Sequence, residues 1–206
     1  MKKQHRVGIF GGTFNPIHNG HLMIAENACR QFQLEQIVFM PTGHAPHKAY
    51  MGADMSSHRI HMTELAIDGH PSFTISCREL ENERVSYTYQ TLCRLNAEYP
   101  DTEFYFILGA DSLFDFHLWR HPEIICLEAI ILAAARDNLD AAKLDAQIAS
   151  LTEQYGGRIY RIRMENYCIS SREIRERIAA GLSVSEMVPP CVMHYIEENR
   201  LYRTDI

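Results

Sequence analysis

The sequence predicts an α/β protein: a Rossmann-like, doubly wound parallel sheet in a single domain, residues 1–206, with a helical C-terminal part (about 165–206) packed on the sheet. Three observations carry this expectation. Short, nearly continuous apolar runs alternate with helical patterns along the whole chain, and such runs suit strands covered on both faces. Their spacing leaves room for right-handed crossover helices between parallel strands. A length of 206 residues suits one large domain and hardly two, and no repeat, low-complexity segment or evident linker divides it.

The elements follow in order. Val7-Gly8-Ile9-Phe10 reads as a buried strand running into a tight turn at Gly11-Gly12. From a start near Gly20, Leu22, Ile24, Ala25, Ala28 and Cys29 mark one helix face. Ile37 to Met40 is a second strand, stopped by Pro41. Ser56 or Ser57 caps a helix through Ile67, ended by Gly69. Phe73 to Ile75 is a short third strand, and Tyr87 to Glu98 is helical up to Pro100. Phe104 to Leu108 is the clearest strand. A helix around His121 to Cys126 precedes a strand at Ala129 to Ala134. Leu139 to Gln154 reads as an amphipathic helix, with a strand following at Arg158 to Ile162. Helices from Ser171 to Ala180 and from Pro190 to Arg200 close the chain.

Composition excludes several classes. No apolar run reaches membrane-spanning length, and Glu128 interrupts the longest candidate, Ile124 to Ala135. The basic N-terminus is followed by an apolar run ending at Phe10, too short for a signal-peptide core. The expected location is cytoplasmic, with no membrane partner. Cys29, Cys77, Cys93, Cys126, Cys168 and Cys191 form no C-x-x-C pair, so they read as reduced, small apolar residues. A net charge of −6 argues against gripping a nucleic-acid backbone. The sequence leaves the choice between monomer and homo-oligomer open.

In doubly wound sheets ligands bind beyond the carboxyl ends of the strands. The first such segment is Gly11-Gly12-Thr13-Phe14-Asn15-Pro16-Ile17-His18-Asn19-Gly20-His21-Leu22. Two glycines permit close backbone approach. A helix N-terminus behind them offers amides and a favourable dipole to an anion. His18 and His21, three apart, can direct both imidazoles to one spot, and Thr13 adds a hydroxyl. The G-x-G-x-x-G and Walker patterns are absent. H-x-x-H without a third close ligand is a weak metal site, and an isolated pair of this kind is more often two surface histidines beside a turn. The whole dodecamer after a strand favours phosphate.

This dodecamer resembles the signature of the nucleotidyltransferase superfamily with the T/H-x-G-H motif. Within it, the chain resembles the bacterial nicotinate-nucleotide adenylyltransferases. Matching segments recur in order: Pro46-His47-Lys48; Ser57-His58-Arg59-Ile60; Arg78-Glu79-Leu80 with Ser86-Tyr87-Thr88 and Thr91-Leu92; Phe106 to Leu113 with Trp119; Ile169-Ser170-Ser171 with Arg175; and Val188-Pro189-Pro190 through Leu201-Tyr202. The resemblance implies adenylyl transfer from ATP to nicotinic acid mononucleotide, giving nicotinic acid adenine dinucleotide and pyrophosphate. It implies catalytic roles for His18, His21, Lys48 and Arg175. ATP would meet Gly11, Gly12, Thr13, Phe14, His18, His21, Gly109, Asp111, Ile169, Ser170, Ser171 and Arg175. The mononucleotide would meet Thr13, Asn15, Lys48, Tyr87, Thr88 and Trp119, the last stacking on the nicotinate ring. Magnesium is expected as the ATP-bound ion, held by phosphates and water rather than by a protein carboxylate cage; no protein metal ligand is expected.

Structural alternatives stand beside these roles. Ser170 or Ser171 can cap a helix with Glu173 nearby, and Asp111 can cap one. Arg175 can pair with Glu176, and Arg59 can bind an acid on its own helix. Lys48 can be a solvated lysine, and Trp119 can belong to the core. The chain departs from the family pattern at Asn15, where aspartate is common, at Ala45, at Arg172, and at Ala133 to Asn138 in place of an Arg-Pro-Gly turn. That last change puts a nucleotide role for Arg136 in doubt. Nicotinamide mononucleotide, phosphopantetheine or a sugar- or glycerol-phosphate with CTP are alternative acceptors. A non-catalytic nucleotide-binding regulator is the alternative of another class.

Overall fold

The computed structural model describes residues 5–43, 52–80, 86–135, 141–164 and 169–203. Six strands form one parallel sheet: β1 (His5–Gly12), β2 (Gln36–Pro41), β3 (Phe73–Ile75), β4 (Thr102–Gly109), β5 (Ile130–Ala134) and β6 (Ile159–Ile162), in the order β3-β2-β1-β4-β5-β6. β1 lies between β2 and β4, with Ile9 opposite both Val38 and Phe106. The chain winds outward through β2 and β3, returns to β4 on the other side of β1, and winds outward again. The carboxyl ends of β1 and β4 therefore diverge, which opens the crevice where such sheets take ligands.

Alternation along the strands divides the core. Phe10, Ile37, Phe39, Ile107, Leu132 and Ala134 face one layer. Ile9, Met40, Phe106, Leu108, Ile131 and Ala133 face the other. Because both faces are buried, polar alternation is missing and the strands read as plain apolar runs. The first face is covered through Ile24 and Ala28 of α1 (Asn19–Phe32), Met62 and Ala66 of α2 (Gly52–Ile67), Ile174 of α7 (Ser171–Ala179) and Val192 and Ile196 of α8 (Pro190–Glu198). The second is covered through Leu92 and Leu95 of α3 (Thr88–Glu98), Leu113 of α4 (Ala110–Phe114), Ile125 of α5 (Pro122–Glu128) and Leu144 and Leu151 of α6 (Ala141–Tyr155). The expected C-terminal helices thus lie on the sheet beside α1 and α2.

All six expected strands and all seven expected helices are present, with shifted ends. α2 begins at Gly52, ahead of Ser56. Two short elements were not expected: α4 and a 3₁₀ turn at Phe116–Leu118. Among the described residues no helix is long and apolar enough to cross a membrane.

Candidate active site

β1 does not end where the glycines suggested. Gly11 and Gly12 both lie in the strand, paired with Met40 and Pro41. The turn comes two residues later, at Phe14, whose φ of 47° is in the left-handed region. Phe14 folds its ring back over the strand, so a Cβ at Gly12 would sit 2.8 Å from that ring. Glycine is needed there to admit an aromatic, not to turn the chain. The Phe14 side chain is 1% exposed and packs on Phe10 and Phe39. The whole residue, backbone included, is therefore buried.

The segment from Thr13 to Pro16 is tied down by side chains from three distant elements. Arg59 Nη1 donates to the Thr13 carbonyl at 2.7 Å. Arg175 Nη1 donates to the Asn15 carbonyl at 2.7 Å and to the Ser171 carbonyl at 3.1 Å. Ser171 Oγ donates to the Pro16 carbonyl at 2.9 Å. Tyr202 Oη donates to Asn15 Oδ1 at 2.6 Å. Neither structural alternative for the two arginines is the contact formed. Arg59 reaches the loop after β1 rather than an acid on its own helix, with Ser56 Oγ as a second acceptor at 3.3 Å. Arg175 reaches the Asn15 carbonyl rather than Glu176. The Asn15 side-chain oxygen accepts from the C-terminal tail. Ser170 is the helix cap, its Oγ accepting from the Glu173 amide at 3.1 Å. Ile169, just before that cap, packs against the first core layer. Arg172 is exposed on the same helix.

His18 and His21 are brought together. His18 is the N-cap of α1, and its ring stacks on that of His21 with centroids 3.7 Å apart. His18 has no exposed surface, whereas His21 is half-buried. The His18 amide donates to His21 Nδ1 at 3.2 Å. In the neutral ring this makes Nδ1 the acceptor and Nε2 the hydrogen-bearing nitrogen. The ring also packs edge-on against Phe14, at 5.0 Å. The amides of the first helical turn are fewer than the sequence suggested, because Asn19 N–H is taken by the Met187 carbonyl at 2.9 Å.

Across the crevice, Trp119 both packs on the core and lines a cleft. Its ring leans on Phe106 and Phe116, with centroids 6.0 and 5.5 Å away. It also walls a cleft of about 400 Å³, open mouth included, with Gly11, Thr42, Thr88 and Glu79. Tyr87 does not line this cleft. It caps α3, and the Arg120 guanidinium lies 4.7 Å over its ring. Gly109 is the N-cap of α4, so Asp111 falls inside the first turn and is not the cap. Lys48 and Arg136 lie outside the described residues. Glu79, Thr42 and Tyr202 join the site without having been assigned a role from the sequence; the Arg78-Glu79-Leu80 and Leu201-Tyr202 matches were the signals near them.

A family profile described as cytidylyltransferase-like matches residues 9–177. A probable nicotinate-nucleotide adenylyltransferase from Lachnoclostridium phytofermentans is 43% identical over 197 residues, covering 96% of this chain and 98% of the relative. One from a Thermoanaerobacter species is 34% identical, covering 100% of this chain and 98% of its own. The solved nicotinic acid mononucleotide adenylyltransferase of Plasmodium falciparum, complexed with NaAD, superimposes with a TM-score of 0.78 at 22% identity, over 97% of this chain and 98% of that one. That likeness shows the fold. The two full-length relatives show more: the chain belongs to the nicotinate-nucleotide adenylyltransferases, within the cytidylyltransferase-like family.

Proposed function

We propose that the chain transfers the adenylyl group of ATP to the phosphate of nicotinic acid mononucleotide, giving nicotinic acid adenine dinucleotide and pyrophosphate. One observation carries the proposal. A tethered loop ending in two stacked histidines faces, across β1, a cleft walled by a tryptophan. The first half suits polyphosphate and the second a flat ring.

The reaction asks little covalent chemistry of the protein. An oxygen of the mononucleotide phosphate attacks the α-phosphorus of ATP in line, and the bond from that phosphorus to the pyrophosphate oxygen breaks. The attacking group is already anionic, so no side-chain nucleophile or base is needed; positioning and charge stabilisation suffice. His21 Nε2–H is the donor for the charge that grows on the phosphate oxygens, and His18 orients it through its amide. Arg175 holds the loop through Nη1 and sets a cation beside it. Trp119 stacks on the pyridine ring. The first amides of α3, after the Tyr87 cap, suit the exocyclic carboxylate.

Among the described residues no group of three or more His, Cys, Asp and Glu side chains gathers as a metal cage. We propose that magnesium arrives on the triphosphate and neutralises charge there, held by phosphate oxygens and water. Both substrates are intracellular metabolites, so the proposed location is the cytoplasm. The test is pyrophosphate release from ATP and magnesium with each pyridine mononucleotide supplied separately. Preference for the nicotinamide form would overturn the acceptor and spare the reaction class.

A further inference from the structure

The acceptor cleft contains an acid that the reaction does not use. Glu79 follows β3 and reaches the cleft wall, where its Oε1 accepts from Thr91 Oγ1 at 3.0 Å. The wall around it is largely apolar: Ile9, Met40, Leu92, Phe106 and Trp119. Among the described residues lining the cleft there is no lysine, arginine or histidine. The adjacent Arg78 is already engaged, both terminal nitrogens donating to Glu98. Burial raises the Glu79 carboxyl above the usual range, and the hydrogen bond from Thr91 only partly opposes this.

The position of Glu79 is built rather than incidental. Its carbonyl accepts from Ser86 Oγ at 3.3 Å. A Cβ at Gly43 would come within 2.5 Å of that same carbonyl oxygen. Glycine alone lets the segment leaving β2 pass this close. Glu79 is thus fixed between the exit of β2 and the start of α3, with its side chain on the cleft.

A carboxylate desolvated by an apolar wall is costly unless a cation meets it. No described side chain lining this wall supplies one, whereas the ligand does. The ring of a pyridine mononucleotide carries a permanent positive charge at its glycosylated nitrogen, and a cationic ring is also the better partner for an indole face. We propose that Glu79 is the counter-charge for the pyridinium ring of the acceptor, gripping it against Trp119. This rests on the acceptor assigned above. It adds the atom that is recognised, the charged ring nitrogen, as distinct from the exocyclic group. It also orients the ligand: the nicotinate carboxylate is repelled by Glu79 and turns away from it, leaving the charged ring nitrogen as the nearer group. No proton or electron pair moves in this contact, and Glu79 takes no part in the phosphoryl step.

The test uses two acceptors that differ at one atom: nicotinic acid mononucleotide, and the benzoate C-riboside 5′-phosphate, which has the same ribose, phosphate and carboxylate on a neutral ring. Glu79→Gln removes the charge and keeps an oxygen for the Thr91 hydrogen bond. KM is measured at saturating ATP, and Kd from Trp119 fluorescence. The unsubstituted enzyme is expected to prefer the cationic acceptor by about tenfold, about 1.4 kcal/mol. In Glu79→Gln that preference falls at least about threefold, through weakened binding of the cationic acceptor alone, the Trp119 contribution remaining. Equal weakening of both acceptors would overturn the proposal, because Glu79 would then serve the ribose or the pocket shape. So would the absence of any preference in the unsubstituted enzyme, a result that does not depend on how the variant folds. If the unsubstituted enzyme makes no dinucleotide from either acceptor, the functional reading itself fails.

Discussion

Replacing Arg59 with methionine should separate stability from turnover. The guanidinium is 1% exposed and donates to the Thr13 carbonyl at 2.7 Å and to Ser56 Oγ at 3.3 Å. Its Nε has no hydrogen-bond partner among the described residues. Burial lowers the guanidinium's proton affinity, and the nearby Tyr202 phenol offsets only part of this. Losing a charge-assisted bond costs about 1.5–3 kcal/mol, and the long second bond adds about 0.5–1. Against this, methionine of similar length fills the space, buries no charge and removes an unsatisfied donor, recovering about 1–3 kcal/mol. The net change is therefore about −1 to +3 kcal/mol, centred near 1, measurable as a shift in the urea midpoint at constant slope. Turnover has no such compensation, because Thr13 loses its tether beside the phosphates. A misplacement of about 1 Å can cost about 100-fold, so kcat at saturating substrates should fall at least about tenfold. A variant that keeps kcat within twofold would show that Arg175, Ser171 and Tyr202 hold the loop without Arg59. Unfolding by more than about 4 kcal/mol would refute the opposing-term argument itself.

His21→Ala should lower kcat by about 100-fold or more, the scale for losing one positioned charge-stabilising donor; near-normal turnover would remove His21 from the mechanism. Trp119 is the chain's single tryptophan, so its fluorescence should respond to saturating mononucleotide, and silence would argue that no ring stacks on it. Glu98 is held at about 2 by the Arg78 hydrogen bonds, below its ordinary 4.5. A lowered folded value means the stabilisation is complete above the ordinary range and is lost as pH falls from about 4.5 toward 2. NMR titration of the Glu98 carboxyl should show the low midpoint, and Arg78→Gln should return it to the ordinary range. Both groups are largely exposed, so stability at neutral pH should change little.

The fold was legible because burial on both sheet faces leaves strands as bare apolar runs, and those runs were spaced for crossover helices. What escaped were elements too short to show a period: α4 has 5 residues and the 3₁₀ turn has 3. The Gly-Gly pair was misread as the turn itself. Glycine in a strand can equally make room for a neighbour, and here Phe14 carries the positive φ instead. The histidine pair was legible because it is local, three residues apart on one cap. The tethers were not: Arg59 to Thr13 spans 46 positions, Arg175 to Asn15 spans 160, and Tyr202 to Asn15 spans 187. A local reading offers each of the two arginines the nearest acid, and only the fold shows that a distant carbonyl competes for it. Glu79 was quoted as part of a matching segment, but its chemistry depends on neighbours from β1, β2 and β4.

The tethers also explain how a chain of net charge −6 can seat a polyphosphate without a dense basic patch. A peptide unit is planar, and in a trans unit the carbonyl and the following N–H point in opposite directions. Arg59 pulls the Thr13 carbonyl inward, so the Phe14 N–H is directed the other way. Ser171 fixes the Pro16 carbonyl in the same way; Phe14 and Ile17 are themselves buried, so these tethers set the course of the loop rather than present those two amides to the ligand. Arg175 holds the Asn15 carbonyl, where the next residue, Pro16, has no N–H to present. Part of the cationic charge is thus spent on orienting backbone dipoles rather than on direct contact with the ligand. Fixed dipoles of this kind need no reorganisation when charge develops on the α-phosphate. The arrangement requires the far end of the chain: α7 and the segment carrying Tyr202 must dock on the loop after β1 before that loop is fixed. Catalytic geometry should therefore form only when the C-terminal helices have packed on the first sheet layer.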